Sequence, residues 1–141
     1  MNEINKFKKE VNKNIELQGK DSKFSDLSLD WVEHSARNKY TYNFSWLGRP
    51  IIQFPQDIIA TQEIIWEIKP DLIIETGIAH GGSLILSASM LALLEIAEAQ
   101  QKGELFDPNN PKRKVIGIDI DIREHNREEI VKNSLYKHIE M

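Results

Sequence analysis

The sequence predicts an α/β fold on a parallel sheet, and three observations carry that prediction. Two short apolar runs rich in β-branched residues, 71–75 and 114–121, are each followed by a helix-forming segment. The resulting order of strand, helix, strand, helix implies right-handed βαβ units. A glycine-rich turn joins the first of these strands to its helix, at the position where open α/β sheets receive ligands.

The chain has 141 residues, enough for one domain with its own core. Lys and Arg number 18 against 22 Asp and Glu, a net charge of −4 with no basic stripe, so nucleic acid is not an expected partner. The absence of cysteine excludes a disulfide framework, a thiolate metal site and a Cys nucleophile, and leaves a cytoplasmic protein as the expectation. No membrane association is expected either. The N-terminus lacks an apolar signal core, and the apolar-rich stretch 84–99 is interrupted by Ser87, Ser89, Glu95 and Glu98.

From the N-terminus, Ile4, Phe7, Val11 and Ile15 recur at helical spacing and predict an amphipathic helix over 4–18 that needs a surface to lie on. Residues 19–30 read as polar and turn-rich. Residues 31–54 carry Trp31, Tyr40, Tyr42, Phe44, Trp46 and Phe54, too many aromatics for a linker. Residues 1–54 are therefore expected to form a helical, aromatic arm that packs on the main fold or on a second subunit. Residues 55–141 are expected to be the first half of a cofactor-binding α/β domain.

Pro55 and Asp57 suggest a helix start with Asp57 as cap, continuing to about Lys69 with Ile58, Ile65, Ile59 and Trp66 on one face, until Pro70 prevents continuation. Asp71 to Glu75 predicts a strand buried on both faces. Ser83 to about Gln101 predicts a helix so apolar that it must be covered on most sides, and 103–112 reads as a loop by its Pro and Asn content. Lys114 to Asp121 predicts a second buried strand, Glu124 to Asn133 a polar helix, and 138–141 the opening of a third strand.

The chemistry is concentrated in Glu75-Thr76-Gly77-Ile78-Ala79-His80-Gly81-Gly82-Ser83, between strand and helix. Gly77 and Gly82 have the spacing of a phosphate-binding loop, but Ser83 stands where that loop needs lysine. A dinucleotide fingerprint would need glycine at Ala79 and an acid about 20 residues on; the next strand-end acid, Asp119, lies 36 residues beyond Ser83. One acid before the loop and another ending the next strand suit a ligand with an ammonium, a carboxylate and a ribose. S-adenosylmethionine carries all three.

Residues 69–83, Lys69-Pro70-Asp71-Leu72-Ile73-Ile74-Glu75-Thr76-Gly77-Ile78-Ala79-His80-Gly81-Gly82-Ser83, together with Val115-Ile116-Gly117-Ile118-Asp119-Ile120-Asp121-Ile122-Arg123-Glu124-His125-Asn126-Arg127, resemble the cephalosporin hydroxylase family. That family includes the cephamycin-pathway protein and rhamnosyl O-methyltransferases. Trp46-Leu47-Gly48 and Pro55-Gln56-Asp57 also match its pattern, so the resemblance spans roughly residues 40–141. It implies a Rossmann-like, S-adenosylmethionine-dependent methyltransferase fold, apparently incomplete, behind an N-terminal helical arm. It further implies that Gly77, Gly81, Gly82 and Ser83 wrap the methionine part of the cofactor, with Ala79 of the same loop also cofactor-binding, Ser83 and the helix amides on the carboxylate, Glu75 near the ammonium and Asp119 on the ribose. The chain departs from the family at Glu124, usually Pro, and at Gln53, often Lys.

The activity implied is methyl transfer to a hydroxyl of a sugar or other small molecule, with a magnesium ion, if one is used, held by residues beyond Met141. No catalytic residue is assigned, and Asp119-x-Asp121 alone is no metal site, because a hard cation takes oxygens from more than one segment. His34, His80, His125 and His138 show no paired ligand spacing, and His80 is the one whose loop would face a ligand. Arg123, His125, Asn126 and Arg127 offer contacts to an anion but read first as a solvated helix start, and Trp31 and Trp46 as packing residues. Self-association is expected, and methyl transfer by this chain alone is not. The alternatives are a non-catalytic Rossmann module acting in assembly and an NAD-dependent oxidoreductase.

Overall fold

A computed structural model describes residues 2–141. They fall into two compact units that divide between Tyr40 and Thr41. The first is a helical hairpin, α1 (Glu3–Lys20) and α2 (Ser22–Arg37). The turn-rich stretch expected over 19–30 is instead mostly helix. Asp21 both ends α1 and caps α2, its carboxylate accepting the Phe24 N–H at 3.0 Å. Trp31 meets Tyr40 edge to face, with ring centroids 5.5 Å apart. Ile4, Phe7 and Ile15 are exposed, and Val11 is half-buried.

The second unit, Thr41–Met141, begins with a short antiparallel hairpin, β1 (Phe44–Trp46) and β2 (Arg49–Ile51). Its two turn residues, Leu47 and Gly48, both adopt positive φ, as a tight two-residue hairpin turn demands. This segment was expected in the arm, yet it packs on the core: Ile51 is 1% exposed, and the Trp46 indole N–H donates to Ser89 Oγ at 3.1 Å. The boundary therefore falls at residue 40 and not after Phe54.

Next come α3 (Pro55–Ile68), β3 (Leu72–Thr76), α4 (Gly82–Lys102), β4 (Lys114–Ile118), α5 (Glu124–Val131) and β5 (Ile139–Glu140). The sheet is parallel in the order β3-β4-β5, so the α/β alternation and the third-strand opening are as the sequence predicts. Together they form a Rossmann-like unit with three strands present. The cap of α3 differs. Phe54 holds the N-cap position, leaving Asp57 to supply charge in the first turn, and Lys69 closes the helix in the left-handed conformation.

The core lies between the sheet and α4, where Leu84, Ile85, Leu91 and Leu94 pack with Val115, Ile130 and Ile139. By length and composition α4 could cross a membrane, but here it is the central core helix, with eleven buried residues. Arg113, only 8% exposed, fixes the start of β4 to that helix. Its guanidinium forks onto the Glu98 carboxylate at 3.0 and 2.9 Å, and its N–H donates to Glu95 Oε1 at 2.6 Å. Burial of the strands on both faces is not observed. Leu72, Ile74 and Ile118 are 47%, 60% and 52% exposed, because successive side chains alternate across the sheet and α4 covers one face. Ile59 and Trp66 of α3 are likewise exposed, whereas Ile65 is buried.

Candidate functional site

The loop 77–81 leaves the end of β3 held by two anchors. Gly77 N–H continues the ladder to Ile118 O at 2.8 Å, and Ile78 N–H donates to Asp119 Oδ2 at 2.9 Å. Gly77, Ala79 and Gly81 all have positive φ (78°, 46° and 81°), a region that suits glycine and strains alanine. Two open cavities meet at Ala79 and His80. One, of about 330 Å³, lies between Pro50–Gln53, Thr61 and the loop and is also lined by Glu75, Gly77, Gly82 and Ser83. The other, of about 340 Å³, is lined by Asp119, Ile120, Asp121, Arg123 and Asn126.

The sequence-assigned residues divide accordingly. Glu75, Gly77, Gly82 and Ser83 line the first cavity, Asp119 the second and Ala79 both, while Gly81 lines neither. Gly77 is exposed, and a Cβ there would meet nothing within 4 Å, so a ligand has free approach to its backbone. Gly82 is required for a different reason. A Cβ would come within 2.2 Å of Pro50 O and 2.8 Å of Ile51 Cα, because the hairpin crosses directly over the start of α4. At Gly81 the Cβ would collide with the Ile130 side chain at 2.4 Å.

Glu75 is partly buried and accepts the Ser83 hydroxyl at 2.5 Å. Burial pushes its carboxyl above the ordinary value, against the opposing pull of the Ser83 bond. Because that bond uses the only Ser83 hydroxyl proton, the Ser83 side chain is not free to donate to a ligand carboxylate. The amides of Gly82, Ser83 and Leu84 can: the first α4 bond is Ile85 N–H to Gly81 O, and earlier amides have no intrahelical acceptor. Gln53, which lines the same cavity as Glu75, has its Oε1 buried without a hydrogen-bond partner.

Asp119 is held well ionised by backbone donors, foremost the Asp121 N–H at 3.2 Å and then the Ile78 N–H. Each carboxylate oxygen keeps further lone-pair capacity, so these anchors orient the group and leave it able to accept hydroxyls. Asp121 is an exposed loop residue, and Arg123 is the N-cap of α5. Among the described residues, no group of three or more His, Asp or Glu could hold a metal ion.

Two site residues escaped the sequence reading. Arg49 of β2 places Nε and Nη2 on the His80 carbonyl at 3.0 and 2.7 Å, and Nη2 also reaches Asn126 Oδ1 at 3.0 Å. Asn126, expected in a solvated helix start, is 4% exposed and donates Nδ2 to the Ala79 carbonyl at 3.0 Å. Arg49 and Asn126 lie 77 positions apart, and no local pattern could link them.

A parallel α/β unit in the strand order β3-β4-β5, with a glycine loop leading into α4, is consistent with an incomplete Rossmann-like methyltransferase fold. A family model described as rhamnosyl O-methyltransferase/CmcI matches residues 38–141, the whole of the second unit and most of the chain. The chain belongs to that family, an O-methyltransferase-type family. No curated protein and no solved structure matches.

Proposed function

We propose that this protein binds S-adenosylmethionine across the two cavities and directs methyl transfer to a hydroxyl of a sugar or small molecule. The observation that carries the reading is the open backbone of Gly77 between Glu75 and Asp119, in a chain that belongs to a methyltransferase family. The residues present fit this cofactor. The buried Gln53 Oε1 and the Glu75 carboxylate offer acceptors to an ammonium group, the α4 amides offer donors to a carboxylate, and Asp119 faces the second cavity as an acceptor for ribose hydroxyls. Two cavities of 330 and 340 Å³ joined at Ala79 are of a size that small-molecule sites use.

When bound, the cofactor supplies an electrophilic methyl group on a sulfonium. The work left to the chain is positioning: Asp119 and the α4 amides fix the two ends, and the loop between them sets where the sulfur lies. The acceptor hydroxyl is not assigned to any described residue. Titration calorimetry with S-adenosylmethionine, with NADH as the control, tests the reading. Saturable binding of the former and none of the latter is expected, and preference for NADH would overturn it.

A further inference from the structure

The geometry points to Arg49 and Asn126 as positioning residues for the cofactor, acting through the successive Ala79–His80 and His80–Gly81 peptides; this rests on the proposed cofactor site. The Ala79 and His80 carbonyls are both held by protein donors. Asn126 Nδ2 takes the Ala79 carbonyl and the Arg49 fork takes the His80 carbonyl, while Asn126 Oδ1 accepts from Arg49 to tie the pair together. The amide orientation of Asn126 follows from chemistry, since arginine only donates and a carbonyl only accepts. No other side chain of this size meets both demands: aspartate would set an oxygen against the Ala79 oxygen, and leucine would leave it without a donor.

The clamp matters because Ala79 is held at φ 46° without being glycine, a conformation that needs external support. In a planar trans peptide the N–H points opposite to the carbonyl, so drawing the Ala79 carbonyl toward Asn126 directs the His80 N–H away from it. Both residues line both cavities, and the peptide between them is the hinge of the proposed cofactor path. The clamp also gives the β1–β2 hairpin a role in the site: β2 carries Arg49, and its Pro50 and Ile51 lie over Gly82.

The test compares S-adenosylmethionine affinity, by calorimetry on the full chain well below the unfolding midpoint, for wild type, Asn126→Asp, Asn126→Leu, Arg49→Lys and the Arg49→Lys/Asn126→Leu pair. Each single variant should weaken binding about tenfold or more. The pair should lose little beyond the worse single, because the two side chains act as one unit. Amide NMR shifts of 78–82 should move in every variant while those of α4 beyond Leu86 stay in place, a pattern that general destabilisation does not give. Arg49→Lys, which keeps the charge and loses the fork, covers the case in which Asn126→Leu fails to fold. Variants that bind within twofold of wild type overturn the clamp and leave the cofactor reading standing. A wild-type protein that binds no S-adenosylmethionine overturns both.

Discussion

The first residue of the loop, Gly77, and the first residue of α4, Gly82, carry the same signal in sequence, glycine, for opposite physical reasons. At Gly77 the space a side chain would fill is empty and opens to a cavity; at Gly82 it is filled by the backbone of Pro50 and Ile51. One glycine is open to a ligand and the other lets a hairpin lie on a helix. A glycine-rich segment is therefore two devices joined, and substitutions at its two ends should fail in different measurements.

The largest effect is expected at Gly82. A Cβ within 2.2 Å of a backbone oxygen cannot be relieved by a rotamer change, so Gly82→Ala should push the hairpin off α4. The loss should be about 3 kcal/mol, at the upper end of overpacking costs, a fall in the unfolding midpoint on the order of 10 °C with no ligand present. A midpoint unchanged by calorimetric scanning would show that Gly82 is not packed as described.

Next is Asp119→Ala. Affinity for S-adenosylmethionine should fall at least about tenfold, because a charged acceptor is lost from the ribose end. Asp119→Asn should fall between the two: its single amide oxygen can keep the Ile78 or the Asp121 N–H bond but not both, and the charge that strengthens hydroxyl bonds is gone. Equal affinity of all three proteins would remove Asp119 from the cofactor site.

Gly77→Ala sharpens the comparison from the other end. The φ of 78° imposes about 1–2 kcal/mol of strain on alanine, yet the added methyl meets no protein atom. Its stability cost should thus be smaller than that of Gly82→Ala, and its loss of cofactor affinity larger than the strain alone would give. If Gly77→Ala bound normally, the open side of the loop would not be where the ligand lies.

Much of this was legible in the sequence, and the parts that were not share a cause. The β-branched runs at 71–75 and 114–118 and the apolar helix after Ser83 announce the alternation, since strand and helix periods are local properties. The α2 helix was hidden by the Asp and Ser content of 21–30, although Phe24, Leu27 and Trp31 keep helical spacing. The hairpin strands have three residues each, too short for a period, and their signal was the Leu47-Gly48 turn. Glu75 and Asp119 were legible as strand-end acids. The Arg49–Asn126 clamp and the packing of Gly82 were not, because both are contacts between segments far apart in the chain.

The smallest effect concerns the two acids, whose titrations run in opposite directions. Asp119, held ionised by backbone donors, supports the fold above the ordinary carboxyl range, and that support is lost as pH falls through its depressed pKa. Glu75 has the opposite sign. Its folded pKa is raised by burial, so between the ordinary value and the raised one the native state holds a proton that the unfolded chain has released. Stability from this group therefore declines as pH rises through that window. An ammonium group placed beside Glu75 favours the ionised form and should displace the proton. S-adenosylmethionine binding should then release protons within the window and none well above it, which calorimetry in buffers of different ionisation enthalpy measures directly. Glu75→Gln should abolish the release, weaken binding several-fold, and leave the ligand-free protein slightly more stable at neutral pH. Proton release unchanged in Glu75→Gln would place the ammonium elsewhere, and the first cavity would lose its claim to the amino-acid end of the cofactor.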